Sequence, residues 1–412
     1  MKGNIIAGLD IGTTKVCCII AEKRDDGLVI KGAGVVPSRG GMRNGLVANI
    51  KRISDSIKDA VGKASEEAGV KVKELNIGIA GEHIRSIHHR SQIPISGENG
   101  EVTEEDIQRL NDYVKKINSS SEMEILHILP EEFRVDGKIV YKPISIIGRK
   151  LESLHHVIMA SSAAIANLER AVNLAGYSVR SKVLQQMASS VSVLDENEKD
   201  LGTILIDIGG GTTDIAVFSG KNLRYSGTVA VGGDGITKAI KDNYGIVQEE
   251  AERIKIELGY AHKDAIVENS SLLVKGVGAN KDVRIQAEIL TQFIEALMKE
   301  LFTFIDGKLR NEKVKRKAKA GIVLTGGGAM LRGIDQLAAE VFGLPAKLGI
   351  PQNIKSEIEL DILRPEYATA LGLIKEIPGI TSEQVGNSEK KKTKGSSFEK
   401  FIEKVKEIFK EL

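Results

Sequence analysis

Two short segments of this 412-residue chain carry the residue types that a polyphosphate needs around it. Asp10-Ile11-Gly12-Thr13-Thr14-Lys15 and Asp207-Ile208-Gly209-Gly210-Gly211-Thr212-Thr213-Asp214 each set an aspartate at the end of an apolar run and follow it with glycine and threonine. Glycines let the backbone come close to phosphate and present amide donors in a concave nest, and threonine hydroxyls add donors without bulk. Asp10, Asp207 and Asp214 supply hard oxygen ligands for Mg²⁺, held through retained waters. Lys15 has two roles open to it: contact with a phosphate, or simply the start of the next strand. The two aspartates lie 197 positions apart. A repeat at that distance predicts two related halves whose loops meet at a shared ligand. Neither GxxxxGK[ST] nor GxGxxG occurs in the chain, which excludes the two most familiar phosphate loops.

The elements that must position these loops are legible as patterns. Ile5 to Ile11 and Lys15 to Ala21 read as strand, tight turn, strand, and Thr203 to Phe218 repeats the arrangement. Ile50, Ile53, Ile57 and Val61 recur at helical spacing, as do Ile165, Leu168, Val172 and Leu174. A block from about His83 to Ala160 reads as a small α+β insertion. Within it Thr103 caps a helix carrying Ile107, Leu110, Val114 and Ile117, and strand-like runs at 125–129 and 138–141 flank that helix. At ~100–200 residues per domain the length predicts two to four domains. With 42% hydrophobic and 28% charged residues, wholesale disorder is excluded. Cys17 and Cys18 are the only cysteines and are adjacent, so neither a disulfide framework nor a zinc or iron–sulfur spacing is available to them. No apolar stretch approaches the ~20 residues of a spanning helix, and a cytoplasmic protein is expected.

The two hairpins resemble the phosphate motifs of the actin, heat-shock chaperone and sugar kinase superfamily, and three further segments agree in the expected order. Val323-Leu324-Thr325-Gly326-Gly327-Gly328 resembles its adenosine motif, which implies nucleotide contacts for Gly326, Gly327 and Gly328. Ala251-Glu252-Arg253-Ile254-Lys255 resembles the helix whose Glu and Lys, here Glu252 and Lys255, contact ribose and adenine. Glu366 to Gly372 resembles the second hinge. Within the superfamily the chain is similar to the FtsA family of bacterial cell-division proteins: Gly81-Glu82-His83-Ile84, Thr103-Glu104-Glu105-Asp106, His127-Ile128-Leu129-Pro130 and Pro143-Ile144 resemble that family's inserted subdomain. The resemblance implies an α/β actin-like two-domain fold with duplicated RNase H-like halves, with ATP and Mg²⁺ in the cleft. Actin-like domain I is expected over 1–83 and 161–200, interrupted by the inserted subdomain over 84–160. Domain II is expected over 201–360, with a return to domain I over 361–380. It also implies self-assembly into filaments, other division proteins bound through the inserted subdomain, and a role tethering the tubulin-like protein FtsZ by its C-terminal tail to the membrane at the division site. One departure bears on catalysis. The first hinge reads Leu184-Gln185-Gln186 where Glu-Pro is the family pattern, and Gln185 orients a water but is a poor general base, so slow hydrolysis is expected. The segment near Arg284 to Leu301, where the FtsZ tail is expected, does not match closely enough to nominate contact residues.

After Ile380 the composition turns polar, predicting a linker over 381–395 and an amphipathic helix over 396–412. Phe398, Phe401, Ile402, Val405, Ile408, Phe409 and Leu412 fall within an arc of about 120° on that helix. Their position at the end of a charged linker, with three Phe on the face, favours a membrane surface over packing on the body. Without the 8 lysines and 6 glutamates of 381–412, the 58 basic and 56 acidic residues become 50 of each, so the charge excess sits in the tail. The linker lysines suit anionic lipid. The helix has four Lys and four Glu, so one tail binds weakly and a filament of many binds firmly. A pilus-assembly relative and a sugar or acetate kinase are the alternatives; the terminal helix opposes the first, and the second lacks an evident catalytic Asp beside a substrate pocket. The basic run Lys313 to Lys319 reads as a solvated loop and no nucleic-acid partner is expected. His88-His89 and His155-His156 read as surface or packing residues, because neighbours on a strand point to opposite faces.

Overall fold

The computed structural model of the protein describes residues 4–117, 120–278 and 280–377. The expected linker and the terminal helix with Phe398, Phe401, Ile402, Val405, Ile408, Phe409 and Leu412 lie outside the described residues.

The first half runs β1 (Asn4–Ile11), β2 (Lys15–Arg24), β3 (Gly27–Pro37), the short pair β4 (Met42–Arg43) and β5 (Leu46–Val47), α1 (Ile50–Ala68) and β6 (Glu74–Ile79). There follow β7 (Ile84–Pro94), α2 (Glu104–Ile117), β8 (Met123–Val135), β9 (Lys138–Val140) and β10 (Lys150–Ser161). Then come α3 (Ser162–Leu174), β11 (Ser178–Leu184), α4 (Gln185–Val193) and α5 (Glu196–Leu201). The second half opens with β12 (Thr203–Ile208), β13 (Thr213–Ser219), β14 (Asn222–Val229), α6 (Gly233–Tyr244) and α7 (Gln248–Leu258). It continues through β15 (Ser271–Val274), β16 (Val283–Gln286), α8 (Ala287–Asn311), β17 (Ile322–Thr325), α9 (Ile334–Phe342), β18 (Ala346–Leu348), β19 (Lys355–Ser356) and α10 (Ala368–Gly372).

The duplication is plain in the sheets. One has the order β11-β6-β1-β2-β3-β19 and another β18-β17-β12-β13-β14. In both, an antiparallel three-strand meander continues on one side into two parallel strands, so β1, β2, β3, β6 and β11 correspond to β12, β13, β14, β17 and β18. The resemblance read from the loops thus extends to a whole α/β architecture of actin type. Val16 to Ala21 is buried without a break because helices cover both faces of its sheet. Val16, Cys18 and Ile20 join Ile53, Ile57 and Ala60 of α1 in one core, whereas Cys17, Ile19 and Ala21 join Tyr367, Ala370, Leu371 and Ile374 in another.

The insertion forms its own four-stranded sheet, β7-β10-β8-β9, with α2 against it. Thr103 caps α2 as its sequence predicts: its Oγ1 accepts from the Asp106 amide (3.2 Å), and Asp106 Oδ2 accepts from the Thr103 amide (3.0 Å). Between the two large sheets α4 and α10 pack on each other, with Ser192 Oγ donating to the Ala368 carbonyl (2.7 Å).

Candidate functional site

Each hairpin turn closes with the same bond. The Gly12 amide donates to the Lys15 carbonyl (2.9 Å), and the Gly209 amide to the Thr212 carbonyl (2.8 Å). Ile11 pairs with Val16 and Ile208 with Thr213, so the turns superpose residue for residue. Thr13 and Thr14 therefore correspond to Gly210 and Gly211, not to the second Thr-Thr pair. The two turns touch. A Cβ on Gly210 would come within 2.5 Å of Thr14 Cγ2, and one on Gly211 within 2.5 Å of Thr13 Oγ1. The threonines of one hairpin fill the space that side chains are missing from on the other.

Three carboxylates sit at this junction. Burial raises Asp10 to about 7 against the opposing charge of Lys15, and Asp207 adds to the rise. Burial likewise raises Asp214 to about 7, with Thr228 and Thr212 hydroxyls opposing and the charges of Asp207 and Asp10 adding. Asp207, opposite Asp214 in the strand register, is raised by burial and restrained by the hydroxyls of Ser189 and Thr369, the latter donating to Oδ2 at 3.1 Å. Three neighbouring acids, with Asp207 raising both others and Asp10 raising Asp214, fit a divalent cation, which relieves the repulsion that protonation otherwise must.

Gln185 starts α4 and its Nε2 donates to Asp10 Oδ1 (3.0 Å). A cavity of about 30 Å³ has Gly12, Thr13, Gln185 and Thr212 in its wall, space for about two waters. Lys15 begins β2, and its Nζ pairs with Glu366 Oε2 (2.9 Å), donates to the Glu366 carbonyl (2.7 Å) and lies 4.3 Å from the centre of the Tyr367 ring.

The expected nucleoside side is assembled from α6, α7 and the loop after β17. Lys255 Nζ bonds Glu252 Oε2 (2.7 Å), Thr237 Oγ1 (2.8 Å) and the Gly233 carbonyl (3.1 Å), and Thr237 also donates to Glu252. Gly233 and Asp234 amides in turn donate to the Gly209 and Gly210 carbonyls (2.9 and 2.8 Å), so the start of α6 braces the second turn. Gly326 has φ +85° and lies so close to Asp207 that a Cβ would meet its Oδ1 at 2.4 Å; a Cβ on Gly328 would strike Ile208, while one on Gly327 would make only an ordinary contact with Glu366 Cβ at 3.9 Å. The residues missed by sequence are the hydroxyl partners Ser189, Thr228, Thr237 and Thr369 and the brace Gly232-Gly233-Asp234. The brace had a signal, a Gly-Gly-Asp run directly ahead of a helical pattern, whereas isolated hydroxyls have none.

The histidines alternate in face as expected, His155 reaching Asn111 and His156 reaching Ser226, both buried. What alternation within one strand does not reveal is that antiparallel pairing of β7 with β10 sets His88 opposite His156. With Glu131 they form a cluster in which ligand atoms lie within 4.8 Å of one another.

A family model described as "Cell division protein FtsA" matches residues 204–372, and one described as "SHS2 domain inserted in FTSA" matches 81–159. The chain is 34% identical to the cell division protein FtsA of Borreliella burgdorferi, covering 91% of both chains. It is 35% identical to that of Pseudomonas aeruginosa, covering 90% of this chain and 89% of the relative. Among solved structures, the PilM-PilN type IV pilus biogenesis complex aligns with TM-score 0.66 at 18% identity, covering 90% of this chain and 97% of that one. MreB5 of Spiroplasma citri bound to ADP aligns with TM-score 0.50 at 17% identity over 89% and 94%. These structural likenesses establish the actin-like fold; full-length identity of a third or more establishes the family, and the chain belongs to the cell division protein FtsA family.

Proposed function

We propose that the protein binds ATP with Mg²⁺ between its hairpins, polymerises, and tethers FtsZ to the cytoplasmic face of the membrane at the division site through its C-terminal amphipathic helix. The observation that carries the nucleotide part is the meeting of two equivalent turns over three mutually repelling aspartates. Asp10, Asp207 and Asp214 would hold the cation, which supplies charge neutralisation to phosphate. Thr13, Thr14 and Thr212 with the turn amides would hold the phosphates. Glu252 and Lys255 would meet the ribose and adenine, and Gly326, Gly327 and Gly328 would supply the backbone of the adenosine motif. Gln185, beside a cavity sized for water, orients a water without taking its proton, which supports slow turnover.

The tether rests on the sequence of the tail and on family membership. Fully burying seven apolar side chains yields about 10–20 kcal/mol, and ordering some fifteen residues costs ~1–2 kcal/mol each, so a single tail binds weakly and filament avidity decides attachment. A groove of about 490 Å³ beside α8, lined by Ile266, Glu288, Gln292, Glu295 and Lys299, suits a docked peptide such as the FtsZ tail. Among the described residues no helix is long and apolar enough to cross a membrane. The test is co-sedimentation with anionic vesicles in ATP and Mg²⁺, comparing the full chain with one ending at Gly395. The full chain pellets and the truncated one does not; if both stay in the supernatant the tether reading fails. Replacing Phe398, Phe401 and Phe409 together by Glu gives the truncation's result with nucleotide binding intact.

A further inference from the structure

The inserted sheet meets domain II through a polar cluster that the nucleotide cleft does not use. Its centre is Glu131 Oε1, a buried carboxylate oxygen with no well-aligned hydrogen-bond partner among the described residues. Yet His88 Nε2 lies 2.9 Å from it and His156 Nδ1 lies 3.5 Å away, and the two nitrogens are 3.3 Å apart. Hydrogen bonding satisfies such a triangle poorly, because a proton on His88 Nε2 points at one neighbour only. A metal satisfies it directly. Three ligand atoms at ~2.0–2.1 Å from a tetrahedral ion stand about 3.3 Å from one another, the spacing found here.

The backbone aims the third ligand. Leu154 of β10 pairs with Glu132 and His155 with Pro130, so Glu131 is the extra residue of a bulge in β8, and bulges re-aim side chains. The supporting bonds are also those of a metal centre, where the free nitrogen of a ligating histidine is held by an outer partner. His156 Nε2 lies 3.1 Å from Ser226 Oγ, a hydroxyl able to accept its proton and so free the Nδ1 lone pair for an ion, and Arg224 Nη1 bonds the other Glu131 oxygen at 3.3 Å. The His156 and Glu131 side chains are 0% and 5% exposed, but His88 is 48% exposed and gives an ion a route in and a solvent-facing fourth position.

We propose that His88 Nε2, Glu131 Oε1 and His156 Nδ1 form a binding site for one divalent transition ion of the zinc class, with water as the fourth ligand. The ligands come from β7, β8 and β10 of the insertion, and the outer partners Arg224 and Ser226 from β14 of domain II. Binding therefore fastens the inserted sheet to the edge of the domain II sheet, where Asn222 already donates to the Glu131 carbonyl (3.3 Å). Two imidazoles and one carboxylate favour Zn²⁺ or Co²⁺ over Mg²⁺, which selects all-oxygen sites.

The test uses the full chain with excess Mg²⁺ to saturate the cleft carboxylates, titrated with Zn²⁺ alone by calorimetry and with Co²⁺ by visible absorption. One Zn²⁺ binds per chain, Co²⁺ shows the intense d–d bands of a tetrahedral site, and Zn²⁺ raises Tm. His88→Ala, which removes a half-exposed ring whose packing is its edge contact with His156, weakens Zn²⁺ affinity at least ~100-fold while circular dichroism and Mg-ATP binding stay at the parent values. Glu131→Gln, which keeps the shape, also abolishes the cobalt bands. Absence of zinc binding at micromolar concentration overturns the proposal. So does zinc binding that survives in both variants, which would place the ion elsewhere.

Discussion

The hairpins β1–β2 and β12–β13 occupy equivalent places in equivalent sheets and close with the same bond, yet they divide the chemistry unequally. The first presents side chains, Thr13 and Thr14, at the two positions where the second presents none. The second sets Asp214 opposite Asp207, where the first sets Cys17 opposite Asp10, and burial pushes the Cys17 thiol up to about 12, so it stays neutral near pH 7. The duplicated strands therefore fix the geometry, and the turns have diverged into a donor half and an acid-rich half. Two turns with threonines on both sides would collide, and two with glycines on both sides would leave a gap.

The largest test of that asymmetry removes the acid of the second half. Asp207→Ala abolishes Mg-dependent ATP binding, a loss of more than ~100-fold, whereas Asp10→Asn, which keeps the bond from Gln185, weakens it by roughly tenfold, because a charged hydrogen-bonding partner outweighs a neutral one by about 1–1.5 kcal/mol. Equal losses, read by calorimetry, would make the halves equivalent. Next comes the fit of the turns. Gly211→Ala brings a methyl against Thr13 and costs about 1–3 kcal/mol of stability, and Thr13→Gly added to it restores most of the loss. Additive effects in the double variant would mean the turns do not bear on each other.

Acidity tests the shared cation position. Asp10 and Asp214 each have a value near 7 in the fold against an ordinary 3.8, so the folded chain holds protons there that the unfolded chain has lost. That contribution is complete below about pH 4 and is lost as pH rises through 7. Mg²⁺ binds the ionised carboxylates and so replaces the proton above that range. The rise in Tm on adding Mg²⁺ is larger at pH 8 than at pH 6; an increment independent of pH would remove both carboxylates from the cation site. Asp10→Asn combined with Asp214→Asn flattens the dependence.

The strands and the insertion's helix were legible because their signals are local. Unbroken buried runs mark β2 and β12, a largely apolar run marks β1, and Thr103 with Asp106 marks the start of α2. What stayed hidden depends on register. The string Thr-Thr occurs after both glycine turns, and only the pairing of Ile11 with Val16 and Ile208 with Thr213 shows that Thr13-Thr14 answers to Gly210-Gly211. His88 and His156 are 68 residues apart and meet through antiparallel pairing, and Glu131 joins them through a bulge. A shift of one residue in either strand would point a histidine to the other face, and no local pattern records that choice.

The smallest effect belongs to Lys15, whose counterpart in the second turn is Thr212. Thr212 bonds inward to Asp214 (3.3 Å), while Lys15 turns outward to Glu366 and the Tyr367 ring, linking the first turn to the segment that leads into α10. The Lys15 and Glu366 side chains are 23% and 21% exposed, so solvent reduces the pair to about 0.5–1 kcal/mol, with the ring contact adding a similar amount. Lys15→Met keeps the aliphatic stem and therefore lowers stability by about 1 kcal/mol in denaturant unfolding, with less than a threefold change in ATP affinity. A tenfold loss of affinity at unchanged stability would show that Lys15 leaves Glu366 for a phosphate when nucleotide binds, and would move one cationic donor back into the first half of the site.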